Sequence, residues 1–156
     1  MTSRTESSLV LERGVAESIL DHAREGAATT PPEEVCGVLG GRRADRGDGA
    51  FDGDAAETDT VTAAEPVPNV AGDPRREYEL DPAGTVATID RLESTGLDVV
   101  GFYHSHPESD PVPSRTDERR ATWPGYVYLL CNPDGRLNAY RWTGETFDRL
   151  SLTRAD

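Results

Sequence analysis

The pattern of apolar and polar positions predicts helices and strands that alternate early in the chain and a run of strands near its end. Apolar residues at helical spacing predict one helix over Glu12–Glu25, which Gly26 ends, and a second that begins at Asp81-Pro82 and ends before Gly96. Ser114–Thr122 predicts a short third helix. Short apolar runs predict strands over Val35–Leu39, Val61–Val67, Leu97–Tyr103, Tyr126–Cys131, Leu137–Trp142 and Phe147–Leu152. This order is typical of a mixed α/β or α+β domain.

The segments between these elements complete the predicted organisation. A length of 156 residues is about one domain, so we expect a polar lead over residues 1–10 and a single domain over residues 11–156. The stretch Arg42–Asp59 is rich in Gly, Ala and Asp and predicts an acidic, solvated loop. Asn132-Pro133-Asp134-Gly135 predicts a tight turn between two strands.

The charge balance narrows the classes of partner. Asp and Glu number 29 against 16 basic residues, which gives a net charge of -13 and disfavours nucleic acid as a partner. No apolar run is long enough to cross a bilayer, and the N-terminus lacks the layout of a secretory signal, so we expect a cytoplasmic protein without a membrane partner.

The residue usage points to a high-salt setting. All basic residues are Arg, and the combination of acidic excess with no Lys is typical of salt-loving microbes, where ~1 M salt shortens the screening length to ~3 Å. Codon bias in a GC-rich genome is the alternative explanation. The two cysteines, Cys36 and Cys131, are too few for a disulfide scaffold and predict buried thiols.

Two of the three histidines lie one residue apart where a predicted strand ends. His104 and His106 project to the same face of an extended segment, and Pro107 ends the strand, which leaves both imidazoles at an opening. Two imidazoles and one carboxylate suit Zn²⁺ with a fourth position open for water. By itself, however, a His-x-His pair is more often accidental, and Ser114-x-x-Asp117 is also explained as a helix capping box.

Taken together, these residues resemble a family signature. His104-Ser105-His106, seven intervening residues, Ser114, two more residues and Asp117 resemble the motif of the JAMM (MPN-plus) metalloproteases. The segment Pro32–Leu39 resembles the setting of that family's upstream glutamate, and the position three places before Gly37 selects Glu34 over Glu33. Asn69–Pro74 and Tyr78–Pro82 also resemble small prokaryotic members, and the whole resemblance runs from about Leu11 to Cys131.

The resemblance implies a fold and a set of roles. The fold would be an MPN/JAMM domain, a central mixed β-sheet flanked by helices with a cytidine-deaminase-like architecture. His104, His106 and Asp117 would bind one Zn²⁺ per chain with water as the fourth ligand. Glu34 would act as general base and then general acid, and Ser114 would donate a hydrogen bond to the oxyanion.

The implied function is that of a zinc-dependent metallo-isopeptidase of the desampylase type. Such an enzyme hydrolyses the bond between the C-terminal Gly of a ubiquitin-like modifier, here a small archaeal one, and a lysine or peptide amine of the target. One alternative is a JAMM hydrolase acting on a sulfur-carrier protein in a thiolation pathway, and another is a scaffold that binds a modifier without cutting it. A cytidine deaminase could use His106-Pro107-Glu108, but the Cys-x-x-Cys pair that it needs is missing.

Other residues receive structural interpretations. We expect His22 to be exposed on the first helix and Cys36 to pack as a buried thiol behind the site. Trp123, Tyr126 and Tyr128 are interpreted as core or rim aromatics.

Overall fold

The structure is a computed structural model that describes residues 7–44 and 58–155. Within those residues it has seven strands and three helices. The strands are β1 (Ser8–Leu11), β2 (Cys36–Arg42), β3 (Thr58–Val67), β4 (Asp98–Ser105), β5 (Val127–Cys131), β6 (Leu137–Trp142) and β7 (Phe147–Arg154). The helices are α1 (Val15–Ala27), α2 (Pro82–Ser94) and α3 (Arg115–Arg120).

The seven strands form one mixed sheet that closes on itself. Their spatial order is β1-β3-β2-β4-β5-β6-β7, and β1 completes the closure by pairing in parallel with both β3 and β7. β4 and β5 are also parallel, whereas the remaining neighbours are antiparallel. The predicted fold class of mixed strands with flanking helices is confirmed.

The two long helices cover different parts of the sheet. α1 packs against β3, β4 and β5, and its apolar positions Val15, Ile19, Leu20 and Ala23 are buried as their spacing predicts. α2 packs against β2, β3 and β4, and it begins at the predicted cap, where the Asp81 carboxylate accepts a hydrogen bond from Gly84 N–H. No helix in the described ranges is both long and apolar enough to span a membrane.

Gly26 has a different role from the predicted helix stop. It is buried inside α1, which continues to Ala27. A Cβ at this position would lie 2.5 Å from Val35 Cγ1 and 2.6 Å from the Glu33 carbonyl oxygen. The absence of a side chain therefore lets α1 approach the segment that carries Glu34.

The sequence-based organisation needs two corrections. The polar lead predicted over residues 1–10 ends in β1, whose Leu9 and Leu11 are fully buried. The two ends of the loop predicted over Arg42–Asp59 belong to strands, because Arg42 is the last residue of β2 and Thr58 is the first residue of β3. Residues 45–57 of this predicted loop lie outside the described residues.

Candidate metal centre

The two motif histidines lie at the end of β4, between β2 and β5. Cys36 on β2 is the register partner of His104, and His106 N–H donates to the Cys131 carbonyl at the end of β5. The sequence predicts an opening around the imidazoles, but both are buried, with 1% of His104 and 5% of His106 exposed. The pair therefore lies in a largely desolvated site.

A third side chain reaches both imidazoles from α3. Asp117 Oδ1 lies 3.2 Å from His104 Nε2, and Asp117 Oδ2 lies 3.2 Å from His106 Nε2. The carboxylate is 6% exposed. Asp117 is the one buried residue of α3 as the structure describes this helix, and it lies at the end of β4.

The predicted capping box explains how Asp117 is held. Ser114 Oγ accepts a hydrogen bond from Asp117 N–H at 3.0 Å, and Asp117 Oδ2 accepts one from Ser114 N–H at 2.9 Å. The capping and functional interpretations of Ser114 and Asp117 thus coexist, because the cap fixes a carboxylate that also touches both histidines.

Glu34 enters the same site from the segment before β2. One ligand atom each from Glu34, His104 and His106 lies within 4.8 Å of the other two, so this group could hold a metal ion. Glu34 is 6% exposed, and its Oε1 has no hydrogen-bond partner among the described residues. Adjacent pairing of β2 with β4 brings the carboxylate to the histidines across a long stretch of sequence.

The backbone around Glu34 is held by side chains to which the sequence assigned no role. Ser105 Oγ, from within the His-Ser-His motif, accepts a hydrogen bond from Val35 N–H at 2.9 Å. Asn69 Nδ2 donates to the carbonyl oxygens of Glu34 at 2.9 Å and Glu77 at 3.1 Å. Asn69 Oδ1 accepts from two further backbone N–H groups, so its amide is fully used. The sequence alone assigns no role to Asn69, because its role in holding the backbone of Glu34 depends on contacts that form in the folded segment.

Tyr78 is a further unpredicted neighbour of the site. Its ring stacks on the His104 imidazole with centroids 4.1 Å apart and an interplanar angle of 21°. Tyr78 also lines a cleft of about 450 Å³. That cleft is lined by Tyr78, Glu79, Leu80, Phe102, Arg120, Thr122, Trp123 and Tyr128. The buried site therefore adjoins a partly aromatic surface cleft.

The electrostatic environment separates the two carboxylates. Burial raises the pKa of Glu34 to about 8; the nearby His106 opposes this shift, and the negative charge of Asp117 adds to it. Burial also acts to raise the pKa of Asp117, but the close contact and attraction of His104, together with the hydrogen bonds to His106 and from Ser114 N–H, lower it overall. Asp117 is therefore an ionised ligand-type group, whereas Glu34 can exchange a proton near neutral pH.

The two imidazoles differ in the same way. Burial lowers the pKa of His104 and keeps the ring neutral. Burial opposes protonation of His106 as well, but hydrogen bonds to Asp117 and to the Asp110 carbonyl oxygen together raise its pKa. His106 Nδ1 lies 2.7 Å from that carbonyl oxygen, which can only accept, so Nδ1 carries a proton in either charge state of the ring. Nε2 faces Asp117 and carries the second proton when the ring is charged in the metal-free protein.

The donor set fits a tetrahedral cation. His104 Nε2 is buried without a hydrogen-bond partner among the described residues, because its close contact with Asp117 lacks hydrogen-bond geometry. Two imidazole nitrogens, and a carboxylate that contacts each of them at 3.2 Å, are a donor set that suits a tetrahedral Zn²⁺ with water as the fourth ligand. The buried His104 nitrogen is a ligand atom that such a site would use.

The remaining assignments divide into one error and several confirmations. His22 is not exposed as predicted: it is partly buried, and its Nδ1 lies 2.7 Å from Tyr103 Oη. Cys36 and Cys131 are free and buried, and burial raises the pKa of each thiol to about 12, so neither is a thiolate at neutral pH. Tyr128 is a core residue, whereas Trp123 is 37% exposed at the rim.

Comparison with known proteins shows the family of the chain. Residues 13–143 match a family described as prokaryotic homologs of the JAB domain. The chain belongs to this JAB-domain family. The JAMM (MPN-plus) resemblance drawn from the motif is thereby confirmed at the level of the family.

Individual JAB-domain relatives extend the comparison. A desampylase of Haloferax volcanii is 59% identical over 148 residues, which cover 95% of this chain and 97% of the relative. A probable TtuB-protein conjugate cleaving protease of Thermus thermophilus is 30% identical over 121 residues, which cover 78% of this chain and 70% of the relative. The solution structure of a Desulfitobacterium hafniense protein superimposes with a TM-score of 0.76 at 26% identity, covering 95% of this chain and 93% of that one.

Proposed function

We propose that this JAB-domain protein is a zinc-dependent isopeptidase that removes a ubiquitin-like modifier from its target, as a desampylase does. The observation that carries the proposal is the convergence of four buried side chains, Glu34, His104, His106 and Asp117, from three separate segments. The 59% identity to a named desampylase over nearly the whole chain supports the substrate class.

The metal ligands in this proposal are His104, His106 and Asp117. Asp117 is preferred to Glu34 as the third ligand because its carboxylate contacts both imidazoles, with Oδ1 3.2 Å from His104 Nε2 and Oδ2 3.2 Å from His106 Nε2, and because its lowered pKa keeps it ionised. Glu34 would then remain free to move a proton. When bound, one Zn²⁺ per chain would supply Lewis acidity and lower the pKa of a coordinated water molecule towards ~7.

The protein's own residues then divide the hydrolysis between them. Glu34 accepts a proton as water adds to the carbonyl carbon of the modifier's terminal Gly, and it delivers that proton to the amine nitrogen as the C–N bond breaks. In the metal-free chain, burial raises the pKa of Glu34 to about 8, and a desolvated carboxyl of this kind suits a group that both accepts and returns a proton. The Ser114 hydroxyl, whose oxygen accepts from Asp117 N–H, keeps its own proton to donate to the developing oxyanion.

The cleft beside Tyr78 provides room for the polypeptide part of the substrate. Tyr78 is shared between the His104 stack and the cleft, so a chain lying in the cleft passes next to the metal centre. Apolar and aromatic walls with Arg120 at the rim suit an extended peptide segment. Partners in this proposal are modifier proteins and their conjugates.

The experiment is cleavage of a purified modifier–target conjugate in high salt, followed by intact-mass spectrometry. We expect two products, a modifier ending in its C-terminal Gly carboxylate and a target with a free amine. Treatment with a chelator should abolish the reaction, and added Zn²⁺ should restore it. Undiminished cleavage by chelator-treated protein, or release of a free amino acid instead of a target protein, would contradict the proposal.

A further inference from the structure

The loop that follows His106 determines how its imidazole is oriented. Residues 107–113 form neither helix nor strand, yet the Asp110 carbonyl oxygen in this loop holds His106 Nδ1 at 2.7 Å. A displaced loop would take away the acceptor of the Nδ1 proton and with it this constraint on the orientation of the ring. Some other part of the molecule must therefore hold the loop in place.

The Asn132 side chain bonds the backbone on both sides of Pro107 and Glu108, at the start of this loop. Its Nδ2 donates to the His106 carbonyl oxygen at 3.1 Å and to the Ser109 carbonyl oxygen at 2.9 Å. Its Oδ1 accepts a hydrogen bond from Asp134 N–H at 2.8 Å, and the residue is 8% exposed. The amide therefore has two separable roles: the oxygen shapes the turn between β5 and β6, and the nitrogen bridges the loop beside His106.

Other contacts to the loop are exposed or duplicated. Arg136 Nη1 pairs with Asp110 Oδ1 at 2.7 Å, but both side chains are about half exposed or more. The Pro111 carbonyl oxygen accepts from Asn138 Nδ2 at 2.9 Å and also lies 3.4 Å from Tyr140 Oη. Asn132, in contrast, makes a buried bond to the backbone of His106 itself and a second, partly buried bond to the loop.

We propose that Asn132 is a positioning residue for the metal centre, which fixes the orientation of His106 through the loop at residues 107–113. The inference rests on the proposed function, because it takes His106 as a metal ligand. Loss of a group that orients a histidine ligand typically weakens metal binding 10–100-fold. The turn motif of the sequence would thus serve the metal site as well as the hairpin.

The substitution Asn132→Asp separates the two roles of this side chain. Aspartate keeps the oxygen that accepts from Asp134 N–H, so the turn is retained, but it has no N–H to donate to the two carbonyl oxygens. The matched control is Asn138→Ala, which removes an amide on β6 that also donates to this loop, at the Pro111 carbonyl oxygen, where Tyr140 Oη can still donate to the same acceptor. Zn²⁺ affinity is measured by competition with a chromophoric chelator, and the visible spectrum of the Co²⁺-loaded protein reports ligand geometry.

The inference predicts that N132D weakens Zn²⁺ binding 10–100-fold and changes the Co²⁺ spectrum, whereas N138A changes the affinity less than about threefold. Wild-type affinity and a wild-type spectrum in N132D would overturn it while leaving the proposed function intact. A wild-type protein that binds no Zn²⁺ would overturn the proposed metal site and this inference together.

A measurement on the unmodified protein covers the case in which N132D does not fold. In the metal-free wild type, the side-chain amide protons of Asn132 should exchange with solvent much more slowly than those of an exposed asparagine, because one is donated to the buried His106 carbonyl oxygen and the other to the Ser109 carbonyl oxygen in a partly buried bond. Exchange at the rate of a free amide would contradict the inference without any variant.

Discussion

At the scale of single residues, the site depends on two carboxylates with opposite protonation behaviour. Asp117 accepts hydrogen bonds from an imidazole and from Ser114 N–H, and its pKa is lowered, whereas Glu34 has a buried oxygen without a partner and a pKa raised to about 8. Two carboxylates of one site thus behave differently because their surroundings differ: Asp117 is a fixed anion, and Glu34 is a proton carrier.

The adjacent glutamates offer a direct test of the proton carrier. We expect Glu34→Gln to lower kcat by about 10²–10⁴, the usual contribution of a general acid or base, while Zn²⁺ content stays near one per chain. Glu33→Gln is the matched control and should retain wild-type kcat. Steady-state cleavage of a modifier conjugate measures both. If E33Q and E34Q lose activity equally, the assignment of Glu34 is wrong.

The raised pKa of Glu34 also predicts a pH-dependent stability of the metal-free protein. A carboxyl whose pKa rises from 4.5 to about 8 on folding binds its proton more tightly in the folded state than in the unfolded state. Protonated Glu34 therefore stabilises the fold fully below about pH 4.5, and this contribution is lost as pH rises to about 8. Thermal unfolding of the metal-free proteins should therefore show that the Tm of the wild type falls relative to the Tm of E34Q as pH rises across this range. A difference that stays constant with pH would contradict the shift.

At the scale of elements, the short helix α3 links stability to chemistry. Its capping box is formed by Ser114 and Asp117, and both belong to the proposed site. Loss of the Ser114 side chain should therefore cost cap energy and oxyanion stabilisation at once, and these two effects need separate controls.

The pair Ser114→Ala and Asp81→Ala provides that separation. Asp81 caps α2 through Gly84 N–H, so each substitution should cost about 0.5–2 kcal/mol of stability. Only S114A should also lower kcat by about 10²–10³, and S114T, which retains the hydroxyl, should recover most of it. Denaturant unfolding and conjugate cleavage give the two readouts. Equal kcat values for S114A and D81A would rule out the oxyanion role.

The elements also show which parts of the structure the sequence could predict. α2, β6 and the capping box of α3 follow from local signals, namely a cap, a short apolar run after a turn sequence, and a Ser-x-x-Asp spacing. β1 was missed because it is only four residues long, and its apolar positions become meaningful only when β3 and β7 are in place. The strand pairing of β2 with β4 places Glu34 near His104, a contact that only the family resemblance anticipated.

The supporting residues of the site were beyond local reasoning for a similar reason. Asn69 and Tyr78 lie in a segment with little regular structure, and their roles depend on contacts with Glu34 and His104. His22 was expected to be exposed because its helix position suggested so, but its partner Tyr103 comes from a distant strand. Interactions of this kind are fixed by tertiary packing.

At the scale of the whole molecule, a net charge of -13 acts against compactness in dilute buffer. Screening shortens the range of this repulsion from about 10 Å at 0.1 M salt to about 3 Å at 1 M. We therefore expect Tm of the protein to rise as KCl is increased over this range, measured at constant pH and Zn²⁺ content. A Tm that is unchanged or falls would show that surface repulsion is not a significant cost for this chain.

The central claim concerns one cation at the convergence of β4, α3 and the segment before β2. A crystal structure of the Zn²⁺-loaded protein, with anomalous scattering recorded at the zinc edge, tests it most directly. The account predicts a single strong peak per chain, bonded to His104 Nε2, His106 Nε2 and an Asp117 oxygen, with Glu34 beside it but unbonded. A peak elsewhere, or no peak with those three side chains pointing apart, would contradict it.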